Sequence, residues 1–288
     1  MMDKKKVYSF WFLMPALIIF TVFFLIPTVS SLYFSMTVWD INGARFCGLD
    51  NFKMFFQEDS LSIGIRNTMI YAVLTSVLKL IPAFFLAVLL TSRIKTKNIL
   101  RSVLFFPSLL SLIAIGIMFK AMLHPSKGII NQALSVIGLG GTDWLGSTKT
   151  ALGTVIVVSL WEGLCIATMM FIAGIQAIDA NYYEAADIDG ASWWQKLRYI
   201  TMPLTKSARN SIIILAFIDG VRSFELIWAM TGGGPGFATD VLSSIVYKQY
   251  AAGYYGLSTA GNVIMLILIS CLAYPLQSWL LKREEESM

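Results

Sequence analysis

The sequence predicts an all-α integral membrane protein with about six transmembrane helices. Three observations lead there. Of the 288 residues, 57% are apolar and only 14% are charged. The mean hydropathy of +0.70 exceeds what a water-facing surface sustains. The apolar residues gather in runs near 11–36, 67–91, 102–123, 151–177, 211–230 and 259–281, each near the roughly 20 residues that cross about 30 Å of hydrocarbon. In lipid, backbone N–H and C=O groups must be satisfied within the segment, so each run reads as a helix. One membrane domain over 1–288 is expected.

The first run follows Lys4, Lys5 and Lys6 as a signal peptide would, but it is longer than a signal's apolar region and lacks a small-x-small cleavage site. It is expected to stay attached as the first helix. Pro15, Pro27, Pro82 and Pro107 fall within or at the ends of runs, where they predict kinks rather than breaks. The loops near 37–66, 124–150 and 231–258 collect most of the Gly, Asn and Trp outside the runs.

Charge placement orients the helices. One side carries Lys4, Lys5, Lys6, Arg93, Lys95, Lys97, Arg101, Lys196, Arg198, Lys206, Arg209, Lys282 and Arg283; the other carries Arg45, Lys53, Arg66, Lys127, Lys149 and Lys248. Thirteen against six makes the first side cytoplasmic, with both termini on it. The net charge of +5 therefore reports topology, and no nucleic-acid partner is inferred from it.

Several function classes are disfavoured. Cys47, Cys165 and Cys271 are far apart and match no metal-ligand spacing. The single histidine, His124, sits at a loop start, and there is no H-E-x-x-H or other nucleophile–base constellation to support intramembrane catalysis. The stretch Gly138–Thr148 approaches the phosphate-loop spacing, but Ser147 stands where that loop requires lysine. Any nucleotide energy must come from another chain.

Ionisable groups at bilayer depth cost roughly 2.5–3.5 kcal/mol each on insertion scales, so they face a cavity or a partner. Five are predicted there: Lys79, Glu162, Asp219, Arg222 and Glu225. Steps of three put Asp219, Arg222 and Glu225 on one stripe, where Arg222 can bridge both carboxylates. Two readings stay open: a polar pocket in which carboxylates accept protons from the hydroxyls of a solute and Trp161 offers an apolar face to a ring, or a charge network that holds helices together. A proton- or sodium-coupled carrier using these charges is the alternative transport class.

The segment 182–203 has its own logic. Glu184, Ala185 and Ala186 favour helix, Gly190 permits a positive φ, and a second short helix stops before Pro203. Trp193, Trp194, Leu197 and Ile200 recur near helical spacing, suited to packing against membrane helices or a partner groove.

Glu184, Ala185, Ala186, Gly190, Ile200 and Pro203, at these spacings, resemble the EAA loop of binding-protein-dependent ABC transporter permeases. Met202 departs from the usual Leu by a volume-conserving swap. Thr231-Gly232-Gly233-Gly234-Pro235, then Thr239, Val241-Leu242, Ile245-Val246-Tyr247 and Tyr255-Gly256, resemble the outer segment of carbohydrate permeases, in the subunit equivalent to the larger maltose permease.

The resemblance implies the architecture of a type I ABC importer permease in a bacterial or archaeal cell membrane. It implies a second homologous permease subunit, an ABC ATPase dimer that holds the ATP and Mg this chain does not, and an extracytoplasmic sugar-binding protein. Glu184, Ala185, Ala186, Asp187, Gly190, Ile200 and Pro203 would couple to the ATPase. Sugar contacts would come from Trp161, Glu162 and Gly163 before the loop and from Ala216–Gly220 after it. Asp219, Gly220, Arg222, Ser223 and Glu225 complete the expected substrate path.

Overall fold

The computed structural model describes residues 10–40, 43–92 and 94–286. Lys4, Lys5, Lys6 and Arg93, used above for orientation, lie outside the described residues. Among those described, four helices are long and apolar enough to cross a membrane: Trp11–Phe34, Asp59–Thr91, Ala151–Gln176 and Tyr255–Glu284. A pair of helices, Lys97–Leu109 and Leu112–Met122, bent by 100°, is apolar enough for a broken span or a re-entrant loop. Pro107 opens the tight turn Phe106–Leu109 at that bend, where its missing N–H releases the regular ladder. The run expected as one helix at 211–230 is two pieces, Lys206–Arg222 and Glu225–Thr231, interrupted at Ser223 and Phe224. By length and apolarity the count among the described residues is thus four or five, with the run at 211–230 interrupted where its charges cluster.

The chain forms two compact units. The smaller takes its residues from Met1–Glu58 and Val246–Ile264. In its long helix Trp11–Phe34, the hydrophobic window buries nothing within the chain, so the apolar surface of Phe12 and Phe23 stays exposed. A wide π turn, Thr21–Leu25, comes just before Pro27, absorbing the hydrogen bond that proline cannot make.

The helix is followed by an antiparallel hairpin, Thr37–Asp40 with Gly43–Phe46, pairing Thr37 with Phe46 and Val38 with Arg45. This hairpin and the helix Asp50–Gln57 occupy what hydropathy reads only as loop. Asn51, 5% exposed, pins them by donating to the carbonyls of Ser35 and Thr37 at 2.9 and 2.8 Å. Gly256 lets the Thr37 carbonyl approach its backbone, where any side chain would collide.

The larger unit comprises Asp59–Ile245 and Met265–Met288. Among the described residues, its core includes three clusters. Tyr71, Ile115, Val155, Leu226, Ile227 and Met230 form one; Ala83, Phe84, Phe171, Leu197 and Ile212 form the second; Ala72, Phe217, Val221 and Ala273 form the third. Small residues let the backbones close up. A Cβ on Gly220 would lie 2.6 Å from the Cα of Ala72, and one on Gly174 would lie 2.9 Å from the Cβ of Ala208.

Two buried asparagines tie loops to this unit, as Asn51 does in the smaller one. Asn131 donates to the carbonyls of Pro125 and Thr142 and accepts from the Trp144 indole. Asn67 donates to the carbonyls of Phe237, Ala238 and Asp240 at 3.3, 3.1 and 2.9 Å.

Candidate functional site

A cavity of about 490 Å³ opens within the larger unit, and polar stripes from three helices line it. Tyr71, Thr75 and Lys79 recur every four residues from the Asp59–Leu78 helix to its end. Ser159, Glu162, Gly163 and Ile166 keep the same periodicity on Ala151–Gln176, as do Ile212, Ala216, Asp219 and Gly220 on Lys206–Arg222. Arg222, Ser223, Phe224 and Glu225 line the cavity at the break in the third of these. Tyr71, Thr75 and Ser159 also line the cavity; uncharged polar residues stand out weakly in apolar runs, and the four-residue spacing with Lys79 and Gly163 is the signal the sequence holds for them.

Of the residues expected on the substrate path, Glu162, Gly163, Ala216, Asp219, Gly220, Arg222, Ser223 and Glu225 meet at this cavity, while Phe217 and Ile218 are not among its lining residues. Trp161 is not among its lining residues. It is 38% exposed and stands edge-on to Phe119, ring centroids 5.3 Å apart. Successive helix residues point about 100° apart, so the rotation that turns Glu162 and Gly163 inward carries Trp161 away.

The bridging expected of Arg222 is absent as well. The helix ends at Arg222, Ser223 has ψ of 128° and Phe224 has φ of −137°, so Glu225 begins a new helix and leaves the stripe. Among the described residues, none of Lys79, Glu162, Asp219, Arg222 and Glu225 has an oppositely charged partner within 4.0 Å. Asp219, Arg222 and Glu225 are exposed. These charges face open space and do not form a sealed network.

The segment 182–203 sits between two of the lining helices. Its first helix, Ala180–Ile188, starts four residues after the end of Ala151–Gln176 and is capped by Asp179 accepting from the Asn181 N–H. That helix stops in a Schellman turn: the Ala191 N–H reaches the Ala186 carbonyl at 2.8 Å, the Gly190 N–H reaches the Asp187 carbonyl at 3.2 Å, and Gly190 takes φ of +72°. Ser192 and Gln195 form a capping box that starts Trp193–Lys196. A π turn, Leu197–Thr201, precedes Met202–Leu204, with Pro203 in its first turn.

Two contacts brace the pieces. Lys196 Nζ lies 2.6 Å from Asp187 Oδ1, and the Tyr183 hydroxyl lies 2.9 Å from Thr201 Oγ1. Leu197 is 6% exposed, anchored in the core beside Phe84 and Phe171. Glu184, Ala185, Asp187 and Gly190 remain exposed, Ala186, Ile200 and Pro203 half-buried. Trp193 and Trp194, 52% and 64% exposed, add an apolar surface. Among the described residues, no three His, Cys, Asp or Glu side chains gather to hold a metal ion.

Residues 80–286 match the family model described as "Binding-protein-dependent transport system inner membrane component". The chain is 31% identical over 280 residues to the probable ABC transporter permease protein YurN of Bacillus subtilis (strain 168), covering 95% of this chain and 96% of that protein. It is 30% identical over 259 residues to the trehalose/maltose transport system permease protein MalF of Thermococcus litoralis, covering 89% and 88%. A crystal structure of a bacterial alginate ABC transporter, in complex with an alginate pentasaccharide-bound periplasmic protein, contains a chain similar in fold. Its TM-score is 0.83 at 21% identity, covering 93% of this chain and 91% of that one.

Proposed function

Because the chain belongs to the family of binding-protein-dependent transport system inner membrane components, a family of non-enzymatic multi-pass permease subunits of ABC importers, we propose that it forms half of a sugar path and transmits ATPase movement through residues 182–203. One observation carries this reading: the segment joins two helices that both line the polar cavity, Ala151–Gln176 and Lys206–Arg222. A push on its exposed face reaches the cavity wall through rigid helix on either side. Glu184, Ala185, Ala186, Asp187, Gly190, Ile200 and Pro203 are the coupling residues in this proposal. The lining residues Glu162, Gly163, Asp219, Gly220, Arg222, Ser223 and Glu225 form the path.

The sugar assignment draws on the trehalose/maltose relative and on a lining that mixes carboxylates, hydroxyls and cations, the groups that read sugar hydroxyls. The partners proposed are a second homologous permease, an ABC ATPase dimer using ATP and Mg, and an extracytoplasmic sugar-binding protein. The alginate system bound to its periplasmic protein is a precedent for the last of these.

Gly190→Val tests the coupling. No neighbouring atom lies within 4 Å of a Cβ there, so the substitution is not obstructed by packing. The strain comes from a β-branched residue at φ of +72°, a cost of at least about 1 kcal/mol that reshapes the turn. The variant should insert and keep its melting temperature near that of the parent, while uptake and binding-protein-stimulated ATP turnover fall severalfold. Parent-like values for both would remove the segment from the coupling path.

The orientation proposed, with both termini cytoplasmic, has its own test. Cys47 and a cysteine placed at position 143 should label from outside in intact cells, and one at position 195 only after permeabilisation. The reverse pattern would turn the segment away from any cytoplasmic ATPase.

A further inference from the structure

One cation in the cavity has a visible seat. Lys79 lies between the helices Asp59–Leu78 and Leu80–Thr91, where Pro82 has no N–H to give and its ring crowds the carbonyl of Leu78. The half-buried side chain runs into the cavity and ends above Gly163. A Cβ placed on Gly163 would fall 2.8 Å from Lys79 Nζ and 3.5 Å from Lys79 Cε, and near no other atom outside its own helix. The ammonium occupies the volume that a side chain at 163 would take. Glu162 and Asp219 line the same cavity, yet neither closes to within 4.0 Å of it.

An ammonium at membrane depth needs acceptors. Here its partners stand back, so its donors stay available and the two carboxylates beside it keep free lone pairs. That arrangement fits neighbouring hydroxyl groups of a sugar: one hydroxyl oxygen accepts from Lys79 Nζ while hydroxyl hydrogens donate to Glu162 and Asp219. The charges lining the cavity are Lys79 and Arg222 against Glu162, Asp219 and Glu225, one net negative, which repels an acidic saccharide. Resting on the sugar-path reading above, we propose that Lys79 is a specificity-determining residue of the path, seated by Gly163, and that the substrate it contacts is an uncharged polyhydroxylated saccharide.

The seat predicts a double-mutant cycle in the complete transporter with its ATPase and binding protein. Lys79→Gln removes the charge-assisted hydrogen bond and should lower uptake of the transported sugar roughly tenfold or more. Gly163→Ala keeps the ammonium but displaces it. Because the atom in the way is the end of a flexible side chain, the melting temperature should hold while uptake falls toward the Lys79→Gln level.

The double variant should be no worse than Lys79→Gln alone, since Gly163 acts through Lys79. Independent, multiplying losses would mean that the new methyl group at position 163 obstructs the sugar directly and would overturn the seat, as would parent-like uptake in Gly163→Ala. Should Gly163→Ala fail to fold, adding Lys79→Gln should restore folding, because the shorter side chain vacates the space; failure to restore also refutes the seat. Uptake of a uronate oligosaccharide by the parent at a rate equal to that of its uncharged counterpart would refute the substrate class. A parent complex that moves no saccharide of any kind would instead strike the proposed function, while the folding and melting comparison still reports on the seat.

Discussion

Gly220→Val is expected to lower the yield and the melting temperature of the folded protein sharply. The helices Asp59–Leu78 and Lys206–Arg222 meet at this glycine, where a Cβ would be 2.6 Å from Ala72 Cα, 3.0 Å from Ala72 Cβ and 3.2 Å from Thr75 Oγ1. The nearest obstruction is backbone, which cannot swing aside as a side chain does. Valine adds two methyl groups to a site that cannot accept the first carbon, so the helices must separate. That undoes the packing of Ala72, Phe217 and Val221 behind them.

Overpacking of a tight core costs about 1–3 kcal/mol when neighbours can relax; here the cost should meet or exceed the upper figure. Melting of the detergent-solubilised chain, followed by size-exclusion chromatography, measures it. Gly153→Val is the control: on a lining helix, it has nothing within 4 Å and should keep or slightly raise the stability, because glycine is the poorer helix former of the two. A Gly220→Val chain that melts with the control would show that the helix contact tolerates a larger separation.

Gly220 also shows where legibility in the sequence ends. Its place on the path is what the family resemblance implies for Ala216–Gly220, and the structure brings it to the cavity. The same residue is a contact point between two helices, and nothing in the local sequence announces the partner helix, which comes far earlier in the chain. Hydropathy finds the apolar part of each helix and stops at the membrane's edge. It misses Asp59–Arg66, which continues a transmembrane helix through polar residues, and the hairpin Thr37–Phe46, whose pairing is two strands of only four residues each.

Turn chemistry is more readable. Glu184, Ala185, Ala186, Gly190 and Pro203 predict a helix–turn–helix by local rules, and the Schellman turn and the capping box of Ser192 and Gln195 are local hydrogen bonds. The helix break at Ser223 is legible only in part. The charges around it are visible in the sequence, but extending the helical period through them is what suggested the Arg222 bridge that the break prevents. Periodicity assumes an unbroken helix, and this site is built where one helix is broken and another is interrupted at Lys79.

Asn67→Asp should cost the most for the smallest change of shape. Asn67 is 2% exposed, and its amide N–H₂ points at three carbonyls, of Phe237, Ala238 and Asp240. Nearby, Thr68 Oγ1 accepts from the Leu242 N–H, and the Thr239 hydroxyl meets the Thr231 hydroxyl and the Gly234 carbonyl. These contacts hold the turn-rich connection after Glu225–Thr231, in which Gly232, Gly233, Gly236 and Phe237 all have positive φ. A backbone in that conformation has no ladder of its own to satisfy its carbonyls, so a side chain must supply the donors. Asn67→Leu removes them and leaves buried acceptors unsatisfied, at about 1–3 kcal/mol. Asn67→Asp replaces the donors with an acceptor that faces three carbonyl oxygens. An uncompensated buried charge costs about 3–5 kcal/mol, so aspartate should destabilise more than leucine although it fits better. The measurement is melting temperature with amide hydrogen exchange over 231–242, where both variants should lose protection, aspartate most. If Asn67→Leu proved the less stable of the two, volume and not hydrogen-bond polarity would govern the site. The loss should also reach the cavity, because Ser243, just beyond this connection, donates its hydroxyl to the carbonyl of Ser223 at the helix break. Loosening the loop frees that carbonyl and, with it, the break that sets where Arg222 and Glu225 stand.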